Sequence, residues 1–244
     1  MSIVEIFPLI FVGLLIAYFA YRHVKLKWRR EAMGALAADM GWEFVPDRSH
    51  YYAHQFDQFD FFRRGDSRRA YNTLLGSISI HGTPWTVKMG DFSYTEYSKR
   101  GITRRRSGFG ITNRFSYLIV VLPYKDVPDL LVRRERMFDS VKSWFGVDDI
   151  DFESAEFSRT FFVKSRDERF ARDVVHNGMI EFLLASDPRT VDIEQGYCCL
   201  SDGKRLWKPE QFCATIDWIQ QFFTLWPGQV LGQLEPSAVA NQDS

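Results

Sequence analysis

Cysteine is scarce and neither charge is in excess. Three cysteines, two of them adjacent (Cys198, Cys199), are too few for a disulfide scaffold, and neighbouring cysteines rarely bridge each other. Reduced thiols fit a cytosolic setting. Thirty-one Lys and Arg balance 31 Asp and Glu, so no global field draws nucleic acid or an acidic substrate. Nucleic acid is therefore not an expected partner, and an electrostatic role falls to a local patch. A nucleotide fingerprint is missing too: Gly108-Phe109-Gly110 lacks the third glycine and a Lys-Ser or Lys-Thr ending. There is no Gly-x-Ser-x-Gly elbow. Without C-x-x-C spacing, Cys198, Cys199, Cys213 and His176 read as small packed residues rather than metal ligands. No cofactor is expected.

What is present begins at the N-terminus. Sixteen residues from Ile6 to Tyr21 carry no charge, and Arg22, Lys25, Lys27, Arg29 and Arg30 follow. A helix rises about 1.5 Å per residue, so Ile3 to Val24 reads as one transmembrane span. Charges after rather than before the apolar run argue against a cleaved signal. Basic residues are retained on the cytosolic side, which predicts a single-pass protein in the cell membrane, N-terminus outside and the remainder cytosolic. The lipid bilayer and a membrane protein are the partners this implies.

The rest reads as an α+β domain of antiparallel hairpins packed with helices, as one unit or two subdomains. The expected divisions are an anchor over 1–30, a first subdomain over 31–150, a second over 151–228 and a polar, disordered tail over 229–244. Met33, Leu36, Ala37 and Met40 fall at helical spacing and stop at Gly41. A short strand follows over Gly41 to Pro46, then a hairpin of 74–81 and 84–92 about Gly82-Thr83. Tyr117 to Leu122 is a buried strand and Leu130 to Val132 an extended one. Met137, Val141, Trp144 and Phe145 mark a helix face. Phe157, Phe161 and Val163 are expected on one face of a strand, and Ser165 with Glu168 as a capping box. Val191–Glu194 and Tyr197–Leu200 flank Gln195-Gly196 as a second hairpin, and Pro209 opens a helix striped by Phe212, Ile216, Ile219 and Phe223.

Asp151, Glu153, Glu156 and Asp167 surround a strand start and a helix cap, where carboxylates satisfy backbone N–H groups, so they are not assigned as catalytic. His50, His54 and Asp57 have the i, i+4, i+7 spacing of metal ligands, but the pattern is nonspecific and solvated histidines explain it equally. Lys99, Arg100, Arg104, Arg105 and Arg106 lie in a glycine-rich loop and are the candidate contact with an anionic surface.

Gly41-Trp42-Glu43-Phe44, Asp151-Phe152-Glu153, Phe161-Phe162-Val163 and Met179-Ile180-Glu181, together with the apolar N-terminus, resemble an uncharacterised family of bacterial membrane-anchored proteins. The resemblance implies membrane association and fold kinship but no activity. An interaction or scaffold module at the membrane is the leading expectation. The alternatives are an enzyme acting on a membrane or envelope substrate and an anionic-lipid-binding domain working through the basic loop.

Overall fold

The computed structural model describes residues 3–50, 54–97, 110–134, 148–186 and 189–237, with side chains from residue 11 onward. The basic loop Lys99 to Arg106 and the helix face Met137, Val141, Trp144 and Phe145 lie outside the described residues.

One helix, α1 (Ile3–Met40), runs unbroken through the basic cluster and into the domain. Among the described residues no helix is long and apolar enough to cross a membrane. This overturns the transmembrane span, and with it the single-pass placement, the outside N-terminus and the cytosolic assignment. The reason is length. Sixteen uncharged residues rise about 24 Å, short of a hydrocarbon core of about 30 Å, and five cations follow at once. The last turns of α1 instead enter the domain core, where Met33 and Ala37 are fully buried.

The domain is α+β, as expected. Its antiparallel sheet has the order β1-β2-β3-β4-β8-β7-β5-β6, from β1 (Glu43–Val45), β2 (Asp66–Ile80), β3 (Thr83–Glu96), β4 (Ile111–Val121), β5 (Leu130–Arg134), β6 (Phe161–Lys164), β7 (Thr190–Glu194) and β8 (Tyr197–Ser201). The β2–β3 turn is His81-Gly82, both at positive φ, one residue before the expected pair, so Thr83 pairs with Ile80. Such a turn matches the right-handed twist of the strands it joins. Gln195-Gly196 turns β7 into β8 in the same way. Strands buried on both faces need near-continuous apolar sequence, and Tyr117 to Val120 supplies it in β4.

Helices α3 (Ala155–Thr160), α4 (Glu168–Val174), α5 (Asn177–Ala185), α6 (Pro209–Thr224) and α7 (Gly228–Gln233) join the end of α1 on the core that contains Leu74, Val87, Met89, Leu118 and Val120. Phe157 lies on α3 rather than on a strand shared with Phe161. The Ser154 hydroxyl accepts from Phe157 N–H and starts a helical turn there, and the two rings stack at 5.0 Å. Alternate residues of the same strands, Phe92, Phe115, Tyr117 and Ile119, face a second core closed by Phe56, Phe59 and α2 (Asp60–Arg63) with Phe61 and Phe62. Phe62 meets Phe92 edge-on at 4.8 Å.

Candidate functional site

The five basic residues after the apolar run have separate fates. Arg22 and Lys25 are exposed, Lys27 pairs with Glu31 at 3.7 Å, and Arg30 pairs with exposed Asp47 at 2.8 Å. Arg29 turns inward. Its Nε and one terminal nitrogen both donate to Asp91 at 2.6 Å, and the other donates to the Trp207 carbonyl at 2.8 Å. Asp91 is fully buried on β3 and also accepts from Asn72 Nδ2 at 3.0 Å and Ser116 Oγ at 2.8 Å. Trp207 N–H donates to the same hydroxyl at 2.9 Å. Both oxygens of the carboxylate are therefore satisfied twice. Burial opposes the Arg29 charge, but the hydrogen bond and charge of Asp91 outweigh it and raise the guanidinium pKa above its ordinary value.

Local backbone makes room for this centre. Asn72 sits at φ +49 within the second register shift of β2, between Tyr71 and Leu74, and its amide donates to Asp91. Gly90 allows the bulge to approach, since a Cβ there would lie 2.9 Å from the Asn72 carbonyl oxygen. Close by on the sheet, Trp42 lies flat over Gly76, where a Cβ would fall 2.2 Å from the indole. The result ties α1, three strands and the segment before α6 together at one point. Asp91, Asn72 and Ser116 are absent from the sequence-based candidates. The available signal was a carboxylate at mid-strand, on the same alternation as Trp85, Val87 and Met89, where burial is expected.

Above this anchor α1 is uncovered, and from Phe11 to Tyr21 it is apolar on every side. Leu14 is 65% exposed, Phe19 60% and Trp28 67%, with Phe11, Ile16, Tyr18 and Tyr21 similarly open. A helix that is apolar all round is stable only where something covers it.

The other sequence candidates are accounted for structurally. His54 Nδ1 lies 3.3 Å from Asp57, whose other oxygen accepts from Arg68 at 2.9 Å, and His50 is exposed. Among the described residues no group of three or more His, Cys, Asp or Glu side chains is placed to hold a metal. Asp167, not Ser165, caps α4 by accepting from Phe170 N–H, while Ser165 Oγ accepts from Asp167 N–H and donates to the Asp129 carbonyl. His176 caps α5: Nδ1 accepts from Gly178 N–H, which leaves Nε2–H to donate to the Leu225 carbonyl at 2.9 Å. Burial, with Asp192 beside them, pushes the Cys198 and Cys199 thiols well above their ordinary pKa, and Cys213 is exposed.

A groove of about 920 Å³ opens between the start of β3 and the loop after β4, walled by Pro84, Trp85, Tyr124 and Tyr197. Its charged residues include Arg166 and Asp129, which pair with each other, and the capping Asp167. Backbone bonds of Tyr124's neighbours to the C-terminal segment close one side: Lys125 N–H donates to Glu235 and Ser237 N–H to Pro123.

No protein-family model matches the chain, and no curated protein matches it. Among solved structures it is similar to the crystal structure of the mycobacterial trehalose monomycolate transport factor A, TtfA. That match has a TM-score of 0.56 and 13% identity, over 83% of this chain and 96% of that one. At this identity the likeness is one of fold, and it is compatible with the uncharacterised bacterial family that the sequence motifs resemble.

Proposed function

We propose that this protein is an interaction module that binds a protein partner through the first half of α1, in an assembly of the transport kind. The observation that carries the reading is the contrast within that helix. Large apolar side chains from Phe11 to Trp28 stand exposed, yet Arg29 and the residues after it are locked into the domain. A rigid apolar rod held at a fixed angle presents contact area without an ordering cost at the moment of binding, which favours association. Aromatic residues such as Phe19, Tyr21 and Trp28 are the side chains that dominate protein interfaces. The shared fold with a transport factor supports an accessory role in such an assembly. The sequence-based expectation of an interaction or scaffold module is kept in this form, with a protein as the covering surface.

Affinity purification of the full chain from its native cells tests the reading. The parent should bring down a stoichiometric protein, and Leu15→Gln with Phe19→Gln should lose it while the melting temperature stays within a degree or two. Equal recovery of that protein by the variant would contradict the proposal.

A further inference from the structure

Beside the Arg29 and Asp91 anchor lies a group of cations without counter-ions. Strand alternation puts Arg69 and Tyr71 of β2, Asp91 and Ser93 of β3, and Arg114 and Ser116 of β4 on one face of the sheet. Arg69 and Arg114 both stand opposite Ser93, on either side of it, so their Cα atoms are about 10 Å apart. Arg48 enters from the neighbouring segment, with its guanidinium 5.7 Å from the centre of the Tyr71 ring. Asp91, the carboxylate on this row, is taken by Arg29. Among the described residues no carboxylate pairs with Arg48, Arg69 or Arg114.

Two buried polar atoms point to what is missing. Tyr71 is 95% buried and its hydroxyl has no hydrogen-bond partner among the described residues, and the same holds for the buried Nε of Arg114. Buried polar groups are normally paired, and an Arg Nε can only donate. Burial, and then the charge of Asp91, raise the Tyr71 pKa, so the phenol keeps its proton and is a donor as well. Three guanidiniums without a carboxylate, one of them with an orphan Nε, and an orphan phenol donor together call for an acceptor carrying negative charge. Arg48 is exposed and Arg69 and Arg114 are half-buried, so the cluster is open to solvent on the Arg48 side.

We infer that Arg48, Arg69, Arg114 and Tyr71 form a binding site for a phosphate group, carried by free phosphate or by a phosphate ester. Guanidinium forks match the oxygens of a tetrahedral dianion and bind it in bidentate fashion, and several of them together neutralise its charge. The site is independent of the contact proposed for the exposed half of α1.

The test is titration of the full-length protein with inorganic phosphate and with glycerol phosphate, against sodium chloride of matched ionic strength, read by thermal shift and calorimetry. Phosphate should raise the melting temperature above the chloride control. Arg69→Gln and Arg114→Gln should each weaken binding at least tenfold, and Arg169→Gln, at an exposed arginine of α4 that is no part of the cluster, should leave it unchanged. Tyr71→Phe separates binding from folding. It should weaken phosphate binding several-fold, yet melt no lower than the parent when phosphate is absent, because it removes a hydroxyl that has no partner. Tighter binding of glycerol phosphate would identify an ester as the ligand, and tighter binding of inorganic phosphate the free ion. No difference between phosphate and chloride, or equal phosphate affinity in the parent and all three site variants, would overturn the inference.

Discussion

The two halves of α1 share one backbone and have opposite surroundings. From Phe11 to Trp28 the helix carries large apolar side chains into the open, whereas Met33, Leu36 and Ala37 disappear under the sheet. Arg29 stands at the boundary, bonded to a carboxylate with no exposure. Propensity does not distinguish the halves, since both are good helix. Tertiary cover does, and the place where cover begins is fixed by a buried charge pair. Such pairs are poor sources of net stability, but breaking one leaves an uncompensated charge and so specifies a single arrangement strongly.

The largest effect should come from breaking that boundary. Asp91→Ala leaves Arg29 without its anion and should destabilise the fold by about 3–5 kcal/mol, roughly 6–20 °C in melting temperature for a chain of this size. Removing both charges, as Arg29→Met with Asp91→Leu, should recover much of the loss. A double variant no better than Asp91→Ala would show that the charges are not coupled.

Next in size is the direct contrast between the halves. Met33→Ala opens a cavity in the core and should cost about 2–5 kcal/mol in chemical denaturation. Leu15→Gln, on the open half, should change stability by no more than about 0.5 kcal/mol. Similar losses for the two would erase the distinction.

The smallest effect lies away from the helix. Burial raises the pKa of Asp149, whose carboxylate accepts from Val163 N–H at 2.8 Å. A folded-state pKa above the unfolded one means the folded chain binds more protons between the two values. Stability from this group is therefore gained as pH falls through that acidic window and lost as pH rises through the folded value. Asp149→Asn should remove that slope from a series of melts just above the ordinary carboxylate range, and an unchanged slope would assign it to another group.

Much of the sheet was legible because its signals are local. Gly82 marks the first hairpin to within one residue and Gln195-Gly196 the second, Pro209 opens α6, and the stripe of Phe212, Ile216, Ile219 and Phe223 names its buried face. Phe157 was misplaced because Phe161 and Val163 carry an alternating pattern that Phe157 extends by chance, while the cap at Ser154 overrides it. The transmembrane reading failed on length, because the uncharged run stops at Tyr21. Asp91, Asn72 and Ser116 were invisible for a different reason. Each comes from a separate strand or bulge, and only the register of β2, β3 and β4 brings them to Arg29. The unpaired arginines have the same origin: Arg69 and Arg114 are 45 positions apart in sequence and share Ser93 as neighbour only in the sheet.

Site-specific photo-crosslinking from Phe19 in the full-length protein, in its native cells, tests the central claim most directly. The account predicts a discrete protein adduct from Phe19 that weakens sharply in Asp91→Asn, where the helix is no longer held. Adducts to lipid alone, or a protein adduct indifferent to Asp91, would contradict it.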